Sequence, residues 1–391
     1  MITKISGGKV ILREGVFENL NVYFEDGLIC AVTSENLPFD TEIDAKGRYV
    51  SPGFVEIHSH GAGGADFLDG TVEAFLTASE MHAKYGVTTL VPTATSAEFE
   101  GTLALDRLLD EANEKNENGA DMPGLHLEGP YFAYNQRGAQ DPRYLRNPAP
   151  EEYMRVIDEC KHVLRWSAAP ELPGALGMGE ALKERGILAA IGHTDAEWDD
   201  VKAAFEAGYT HVTHLYSGMN GVHRKNAFRY IGVVEAAYLI DDMTVEIIAD
   251  GKHLPAELLK LIYKIKGEDR IALITDSMRG AGMPDGPSIL GKFDNGLECI
   301  IEDGVAKMPD RQAFAGSVAT YDRLVRNMLN MAELPIEKVI VMAAETPARI
   351  MNFKDRGALK AGLRADIVLF DENVNVSHVI VGGRTVCEKE V

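Results

Sequence analysis

The chain has 391 residues, of which 46% are hydrophobic and 25% charged, as in a globular protein with a large core. Its formal net charge of −21 argues against nucleic acids and anionic membranes as partners. Its four cysteines are far apart and form no Cys-x-x-Cys pair, and no apolar stretch is typical of a signal peptide or a membrane span. We therefore expect a cytoplasmic protein with reduced thiols.

Both ends of the chain predict short strands joined by tight turns. Asp26-Gly27 separates two strand-like segments, which is a strong hairpin signal, and Gly382-Gly383 does the same near the other end. Because chain termini often lie close together, the two ends predict one small β-sandwich domain built from residues 1–52 and 356–391.

Between these ends the pattern changes to an alternation of strands and helices. Eight segments predict strands: Gly53–His58, Thr88–Pro92, Gly124–Glu128, Arg165–Ala169, Leu188–His193, His211–Leu215, Thr244–Ala249 and Ile271–Asp276. Helices are predicted after most of them: Thr71–Tyr85, Ala97–Glu114, Pro150–Cys160, Leu176–Arg185, Ala196–Ala207 and Pro255–Lys266. This alternation predicts parallel strands joined by right-handed crossovers.

Eight such units predict a (β/α)8 barrel over residues 53–355, and a doubly wound open sheet is the alternative. No Gly-x-Gly-x-x-Gly follows the first strand, which weakens a nucleotide-binding interpretation. Residues 288–316 interrupt the alternation with a β-like insertion that could rejoin the small domain. Helices return from about residue 317 to residue 351.

Histidines and carboxylates recur at the ends of the predicted strands. A strand has a side-chain period of two, so His58 and His60 point the same way. Further residues of these types stand at or just after the ends of the third, fifth, sixth, seventh and eighth strands: Glu128, His193, His214, His253 and Asp276. Each alone has a plain explanation, such as a surface histidine or a capping aspartate. Because barrels carry their active sites at this end, together they predict a metal site.

The types of ligand indicate the chemistry. Imidazoles and carboxylates without thiolates suit Zn²⁺, the expected ion, or Fe²⁺, Mn²⁺ or Co²⁺. Glu128 could bridge two ions, or hold one together with His193 and His214. A bound ion lowers the pKa of water from about 15.7 to about 7. Asp276 could take a proton from that water and return it to a leaving nitrogen. The pattern therefore predicts a hydrolase.

Eight motifs spread over essentially the whole chain resemble the amidohydrolase superfamily and, within it, the N-acetylglucosamine-6-phosphate deacetylase family. They are Pro52–Gly61, His126–Pro130, Gly192–Ala196, Thr213–Tyr216, Ile248–His253, Thr275–Met278, Ala315–Ser317 and Gly362–Asp366. No lysine occupies the bridging position of this motif set. Glu128 stands there, as it does in the deacetylase family.

The resemblance implies a role for each matching residue. Glu128, His193 and His214 would hold the principal ion, and His58 and His60 would support a second. Asp276 would be the general base and then the general acid. The residues implied to contact the substrate are Ala139 and Gln140 at the acetamide, His253, and Ser217, Gly218, Phe314, Ala315 and Gly316 at the sugar and phosphate. The resemblance also implies a homodimer in which a basic residue reaches the neighbouring active site.

The chain departs from the family pattern at two places. Gln140 stands where many relatives carry His, and it cannot carry a charge. Lys225 stands where relatives bind phosphate with Arg, unless a one-residue shift lets Arg224 serve, and Lys and Arg are not equivalent for bidentate phosphate recognition.

Our leading hypothesis is metal-dependent hydrolysis of the acetamide of N-acetylglucosamine 6-phosphate. N-acetylgalactosamine 6-phosphate and a non-phosphorylated amide are the alternative substrates. A non-catalytic scaffold is disfavoured because every expected ligand and Asp276 are present.

Overall fold

A computed structural model describes residues 1–389, and its centre is a sheet of eight parallel strands. In chain order these barrel strands are Phe54–Ser59, Val87–Ala94, Leu125–Glu128, Val163–Ala168, Leu188–Ile191, Tyr209–Val212, Thr244–Ile248 and Ile271–Ile274. Each strand pairs in parallel with the next one along the chain. The predicted barrel is confirmed, since a doubly wound sheet would reverse its strand order in the middle.

The first and eighth strands meet at their carboxyl ends and bring the barrel close to closure. The backbone N–H of Asp276 donates to His58 O at 2.9 Å, and the N–H of His60 donates to Ser277 O at 2.8 Å. This contact places Asp276 beside the two histidines, although more than 200 residues separate them in the sequence.

Helices follow the strands and cover the outside of the barrel. The main ones are Val72–Ala83, Phe99–Lys115, Pro150–Glu159, Ala175–Glu184, Trp198–Ala207, Val233–Leu239, Ala256–Lys266 and Tyr321–Asn330. A continuous helical segment follows as Ile336–Ile340, a π-helical turn Val341–Glu345, and Thr346–Ile350. The buried positions of Tyr321–Asn330 recur three and four residues apart, as expected for a helix that packs one face on a sheet. No helix within residues 1–389 is long and apolar enough to cross a membrane.

Strands from both ends of the chain form two further sheets. One has the order Leu28–Thr33, Asn21–Glu25, Thr3–Ser6 and Thr41–Asp44. The other has the order Arg384–Glu388, Val376–Val381, Ile367–Phe370, Tyr49–Pro52, Lys9–Leu12 and Gly15–Phe17. Buried Ile5 and Phe24 of the first sheet share one apolar cluster with Val50 and Ile367 of the second. The division of the chain into domains at residues 52 and 355 stays a prediction.

The two predicted hairpins of these sheets are present. Asp26 has a φ of 49° and Gly27 a φ of 81°, and Gly382 and Gly383 have φ values of 54° and 78°. Two consecutive residues with positive φ form the turn that matches the twist of the flanking strands.

The insertion after the eighth barrel strand does not rejoin the small domain, contrary to that expectation. Its strands Gly286–Leu290, Leu297–Glu302 and Val305–Lys307 form a separate three-stranded sheet. The physical reason is its own apolar cluster, in which Leu290 and Cys299 pack against Met278 and Ala315 from the end of the barrel. The insertion therefore stands beside the barrel mouth.

Short elements complete the loops at the barrel ends. They are the paired strands Gly61–Ala62 and Ala65–Asp66, the hairpin His223–Lys225 with Phe228–Tyr230, and the 3₁₀ turns Phe67–Asp69, Tyr134–Gln136 and Glu268–Arg270.

Candidate metal and active site

Glu128, His193 and His214 converge at the carboxyl ends of the third, fifth and sixth barrel strands. The Nε2 atoms of His193 and His214 lie 3.2 and 3.0 Å from Glu128 Oε1, and 3.2 Å from each other. A tetrahedral ion with bonds of about 2.0–2.1 Å has ligand atoms about 3.3 Å apart. The three buried side chains therefore have the spacing of ligands to one divalent ion.

His58 and His60 form a second group on the same carboxylate. The His58 Nε2 lies 3.5 Å from Glu128 Oε1, and the His60 Nε2 lies 3.4 Å from Glu128 Oε2. Both nitrogens also approach Asp276 Oδ1, at 3.5 and 3.1 Å. Glu128 thus belongs to both groups of ligands, so the arrangement can accommodate one ion or two.

Hydrogen bonds at the far side of the rings set the histidine tautomers. The Nδ1–H of His193 donates to Gln136 O at 2.8 Å, and the Nδ1–H of His60 donates to Thr93 O at 3.2 Å. Because a carbonyl oxygen only accepts, Nδ1 carries the proton in the neutral form of each ring, and Nε2 is then the nitrogen free to bind a metal ion.

His58 supplies a sharper test of whether a metal fits. Its Nδ1 lies 3.1 Å from Glu246 Oε2, and its buried Nε2 has no hydrogen bond to any group of residues 1–389. In a neutral His58 ring this nitrogen would present a lone pair to two carboxylates, which is unfavourable unless a proton or a metal cation lies between them. The residues present therefore fit a divalent metal.

The pKa values of His58, Glu128 and Asp276 are shifted by burial and by the charged side chains that lie so close together. Burial by itself raises the pKa of Asp276 and of Glu128, but His58 beside both carboxyls leaves each pKa below its usual range. Burial lowers the pKa of His58, but the carboxylates of Glu246, Glu128 and Asp276 raise it to about 9. The cluster therefore holds charges that stabilise one another without solvent.

Three of the site residues have a strained backbone conformation. His193, His214 and Asp276 have φ values of 45°, 26° and 47°, in the region that residues other than glycine rarely adopt. Such outliers persist where the surrounding structure holds them and are frequent at functional sites. Here all three direct a polar side chain into the barrel mouth.

Inside the barrel, next to the candidate metal site, lies a buried ion pair that the sequence analysis did not predict. Arg165 and Glu246 are fully buried and hydrogen-bonded to each other inside the barrel. Glu246 also lies beside His58 Nδ1 and accepts the backbone N–H of His214 at 3.1 Å. A charged residue in an otherwise apolar strand was the available signal, since charged residues are seldom buried without a partner.

Four of the candidate ligands, His60, Glu128, His193 and His214, face a cavity of about 230 Å³, which we call the active-site cavity. Most of the predicted site residues line it: His60, Glu128, Ala139, Gln140, His193, His214, Ser217, Gly218, His253, Asp276, Phe314 and Gly316. Thr95, Gly138, Leu290 and Ala313 line it as well, and we did not predict them. Thr95 follows the second barrel strand, so its position at a strand end could have indicated it.

Four predicted residues lie outside the cavity wall. His58 and Ala315 are both fully buried. Arg224 and Lys225 are on the exposed hairpin that follows the sixth strand, where Lys225 Nζ pairs with Glu197 at 2.5 Å. The structure therefore does not bring these two basic residues into the cavity of their own chain.

Gln140 and His253 both line the active-site cavity and are held in place by neighbouring residues. The Gln140 side-chain amide donates to Glu128 Oε2 at 2.7 Å, and its oxygen accepts the N–H of Ser96 at 2.9 Å. The His253 Nδ1 donates to Asp250 Oδ2 at 2.9 Å, and its ring packs against Phe314. Both side chains are held by contacts with the protein before any ligand binds.

A parallel barrel with histidine and carboxylate ligands at its strand ends defines a metal-dependent hydrolase of the barrel type. A family model described as the amidohydrolase family matches residues 49–386. The chain belongs to the amidohydrolase family, whose members depend on metal ions.

Several relatives of this chain are named as deacetylases of amino sugar phosphates. The chain is 34% identical to an N-acetylglucosamine-6-phosphate deacetylase of Vibrio furnissii, over 86% of this chain and 82% of that protein. It is 32% identical to an N-acetylgalactosamine-6-phosphate deacetylase of Escherichia coli O157:H7, over 96% and 97%. A solved structure of a mutant N-acetyl-D-glucosamine-6-phosphate deacetylase from Mycobacterium smegmatis, in complex with N-acetyl-D-glucosamine-6-phosphate, aligns with a TM-score of 0.89, 31% identity and 99% of both chains.

Proposed function

We propose that this chain hydrolyses the acetamide of N-acetylglucosamine 6-phosphate to glucosamine 6-phosphate and acetate. The observation that carries the proposal is the position of Asp276 Oδ1, which lies 3.1 Å from His60 Nε2 and 3.5 Å from His58 Nε2. A carboxylate at the edge of a metal cluster and at the wall of a substrate-sized cavity is what amide hydrolysis requires.

The metal is proposed to be Zn²⁺, with Glu128, His193 and His214 as ligands of the principal ion and His58 and His60 as ligands of a second. The chemistry that a bound divalent ion supplies is the polarisation of the amide carbonyl and a lower pKa for the attacking water. Metal analysis of reconstituted protein tests both the identity and the number of ions. A chain that takes up no divalent ion would contradict this assignment.

Asp276 moves the proton in the proposed reaction. Its carboxylate accepts a proton from the attacking water and then donates it to the departing nitrogen, which leaves as an amine. Gln140 uses one N–H to hold Glu128, and its second N–H is proposed to donate to the acetamide oxygen. His253, held by Asp250, is proposed to position the sugar.

Recognition of the phosphate is proposed to involve a second subunit. No lysine or arginine is among the residues of the described chain that line the active-site cavity. Ser217 and Gly218 are proposed to meet the sugar phosphate from within the chain. Arg224 and Lys225 lie on an exposed hairpin that also presents Phe228, whose side chain is 72% exposed. We propose that this hairpin packs on a second copy and extends a basic residue toward its cavity.

A panel of four compounds tests the proposal: N-acetylglucosamine 6-phosphate, N-acetylgalactosamine 6-phosphate and the two unphosphorylated sugars. Released acetate and free amine are measured with metal-loaded and with chelator-treated protein. We expect the highest kcat/KM on N-acetylglucosamine 6-phosphate and loss of activity after chelation. Equal rates on phosphorylated and unphosphorylated sugars would contradict phosphate recognition.

The galactosamine epimer is the second candidate substrate, because a relative with that activity in its name is 32% identical to this chain. A higher kcat/KM on N-acetylgalactosamine 6-phosphate would replace the first proposal with this one.

A further inference from the structure

A second cavity, of about 270 Å³, lies beside the active-site cavity. We call it the side groove. Helix Phe99–Lys115, the segment from residue 139 to residue 144, and residues 290–297 of the insertion form its walls. Thr95, Ala139 and Leu290 line both cavities, so the two cavities are adjacent at these residues.

The side groove offers carbon contacts more than charge. Its apolar walls are formed by Leu68, Ala97, Ala104, Leu105, Leu108, Leu290 and Leu297. Five charged residues also line it: Asp69, Glu98, Asp141, Arg143 and Lys292. Asp141 is paired with Arg143, whose Nε lies 3.0 and 2.9 Å from its two oxygens, and Asp69 accepts a hydrogen bond from Arg279 at 2.8 Å. Such a lining favours an apolar chain attached to a molecule whose polar part is held elsewhere.

The position of the groove indicates which part of the substrate faces it. Ser217 and Gly218 follow the sixth barrel strand, and Thr95 follows the second. Those strands are four positions apart among eight, so they lie on opposite sides of the barrel mouth. The amide carbon must lie between them, at the ligands and Asp276. With the sugar phosphate toward the sixth strand, the acyl group extends toward the second strand and the groove.

We propose that the side groove is an acyl-binding subsite, and that the enzyme hydrolyses N-acyl amino sugar phosphates whose acyl chain is longer than acetyl. The inference rests on the proposed deacetylase function and names a wider substrate class for the same site. The reaction is the same hydrolysis: water adds its oxygen to the acyl carbon, the C–N bond breaks, and the nitrogen takes a proton. The products are the carboxylic acid of the acyl chain and the amino sugar phosphate.

Gly101 provides a way to fill the groove without disturbing the fold. It lies in helix Phe99–Lys115, lines the groove, and a Cβ at this position would meet no heavy atom within 4 Å. Gly101→Leu therefore adds carbon to open space and removes a residue that disfavours helix. Gly177 is an exposed glycine of helix Ala175–Glu184, remote from the groove, and its Cβ would make an ordinary 3.7 Å contact. Gly177→Leu is the matched control.

The test measures kcat/KM for glucosamine 6-phosphate carrying N-acetyl, N-propionyl, N-butyryl or N-hexanoyl groups. We expect the wild-type values for the butyryl and hexanoyl substrates to lie within about tenfold of the acetyl value, because each added methylene finds apolar contacts. Gly101→Leu should lower the hexanoyl value at least about tenfold and leave the acetyl value unchanged. Gly177→Leu should change neither, and Leu108→Phe, which fills the groove from the same helix, should repeat the effect of Gly101→Leu.

Two results would overturn the inference while the deacetylase function stands. One is a wild-type kcat/KM that falls about tenfold or more with each methylene, as in a site that rejects longer chains. The other is a dependence of kcat/KM on acyl chain length that neither Gly101→Leu nor Leu108→Phe alters, although circular dichroism shows that both variants are folded. Failure to hydrolyse the acetyl substrate as well would contradict the proposed function itself.

Discussion

Glu246 lies directly behind His58, with its Oε2 atom 3.1 Å from the ring Nδ1, and its other oxygen is paired with the guanidinium of Arg165. All three side chains are fully buried. The carboxylate thus orients a histidine of the candidate metal site and, at the same time, neutralises a buried cation. Histidine ligands are commonly oriented by a carboxylate in this way.

Removal of this carboxylate is expected to destabilise the protein strongly. Glu246→Ala leaves the Arg165 guanidinium buried without its partner, and we expect a loss of about 3–5 kcal/mol in the free energy of unfolding, measured with urea. The control is Arg155→Ala, which breaks two exposed ion pairs, with Glu159 at 2.6 Å and with Glu100 at 2.7 Å, and should change the free energy of unfolding far less. Comparable losses in the two variants would contradict a structural role for the buried pair.

Asp276→Asn is expected to separate catalysis from assembly of the site. The amide has almost the same size as the carboxylate but cannot accept the proton of the attacking water, so kcat should fall about 10²–10⁴-fold. The ratio of metal to protein should remain near that of the wild type, since Glu128, His193 and His214 are intact. Asp310→Asn, a change at an exposed position of the insertion, serves as the control. A kcat within twofold of the wild-type value would exclude Asp276 as the base.

The predictable part of the site depends on strand periodicity and strand ends. His58 and His60 share a face because a strand repeats every two residues, and Glu128, His193 and Asp276 stand where barrel strands end. These are local signals that a single sequence carries. The structure brings all five together: each of the three histidines has a ring nitrogen within 3.5 Å of a Glu128 oxygen, and Asp276 Oδ1 lies within 3.5 Å of His58 and His60.

The parts of the site and of the fold that could not be predicted depend on packing between segments that are far apart in the sequence. Leu290 lines the active-site cavity because the insertion packs on the barrel through its own apolar cluster, which no local pattern indicates. The comparison with the family motif predicts that Lys225 or Arg224 binds phosphate, and within its own chain Lys225 pairs with Glu197 instead, so this prediction now depends on a second subunit. Helix Val233–Leu239 was missed because seven residues span too few turns for a clear apolar period.

The four thiols are expected to react at different rates. Burial raises the pKa of Cys160 to about 12 and that of Cys299 to about 11. A raised pKa lowers the thiolate fraction at pH 8, and that fraction grows about tenfold per pH unit up to the pKa. Exposed Cys30 should therefore react fast with a disulfide reagent, whereas Cys160 and Cys299 should react only slowly in the folded protein.

Cys30→Ser should remove the fast phase of this reaction, and Cys160→Ser should leave it unchanged. All four thiols should react in denaturant. Cys387 is only partly buried, so the decisive variant is the double substitution Cys30→Ser with Cys387→Ser: a fast phase that persists in it at pH 8 would contradict the burial of Cys160 and Cys299.

Gly218→Ala is expected to disturb the metal site through His193. A Cβ at Gly218 would lie 2.9 Å from His193 Nδ1 and 3.0 Å from Gln136 O, the two atoms joined by the hydrogen bond that orients the ring. The φ of +59° adds about 1–2 kcal/mol of backbone strain for any other residue. We expect metal affinity and kcat/KM to fall about 10–100-fold, as when a contact that orients a ligand is lost.

Gly186→Ala is the control, because it introduces the same backbone strain as Gly218→Ala without a contact to His193. Its φ is +69°, but a Cβ there would meet no heavy atom within 4 Å. This variant should lose similar stability in urea and bind metal like the wild type, because the alanine methyl touches nothing. If Gly218→Ala also bound metal with wild-type affinity, the hydrogen bond from His193 to Gln136 would not be what holds the ring in place. If both variants lost metal equally, general destabilisation would account for the effect and the ring contact would not.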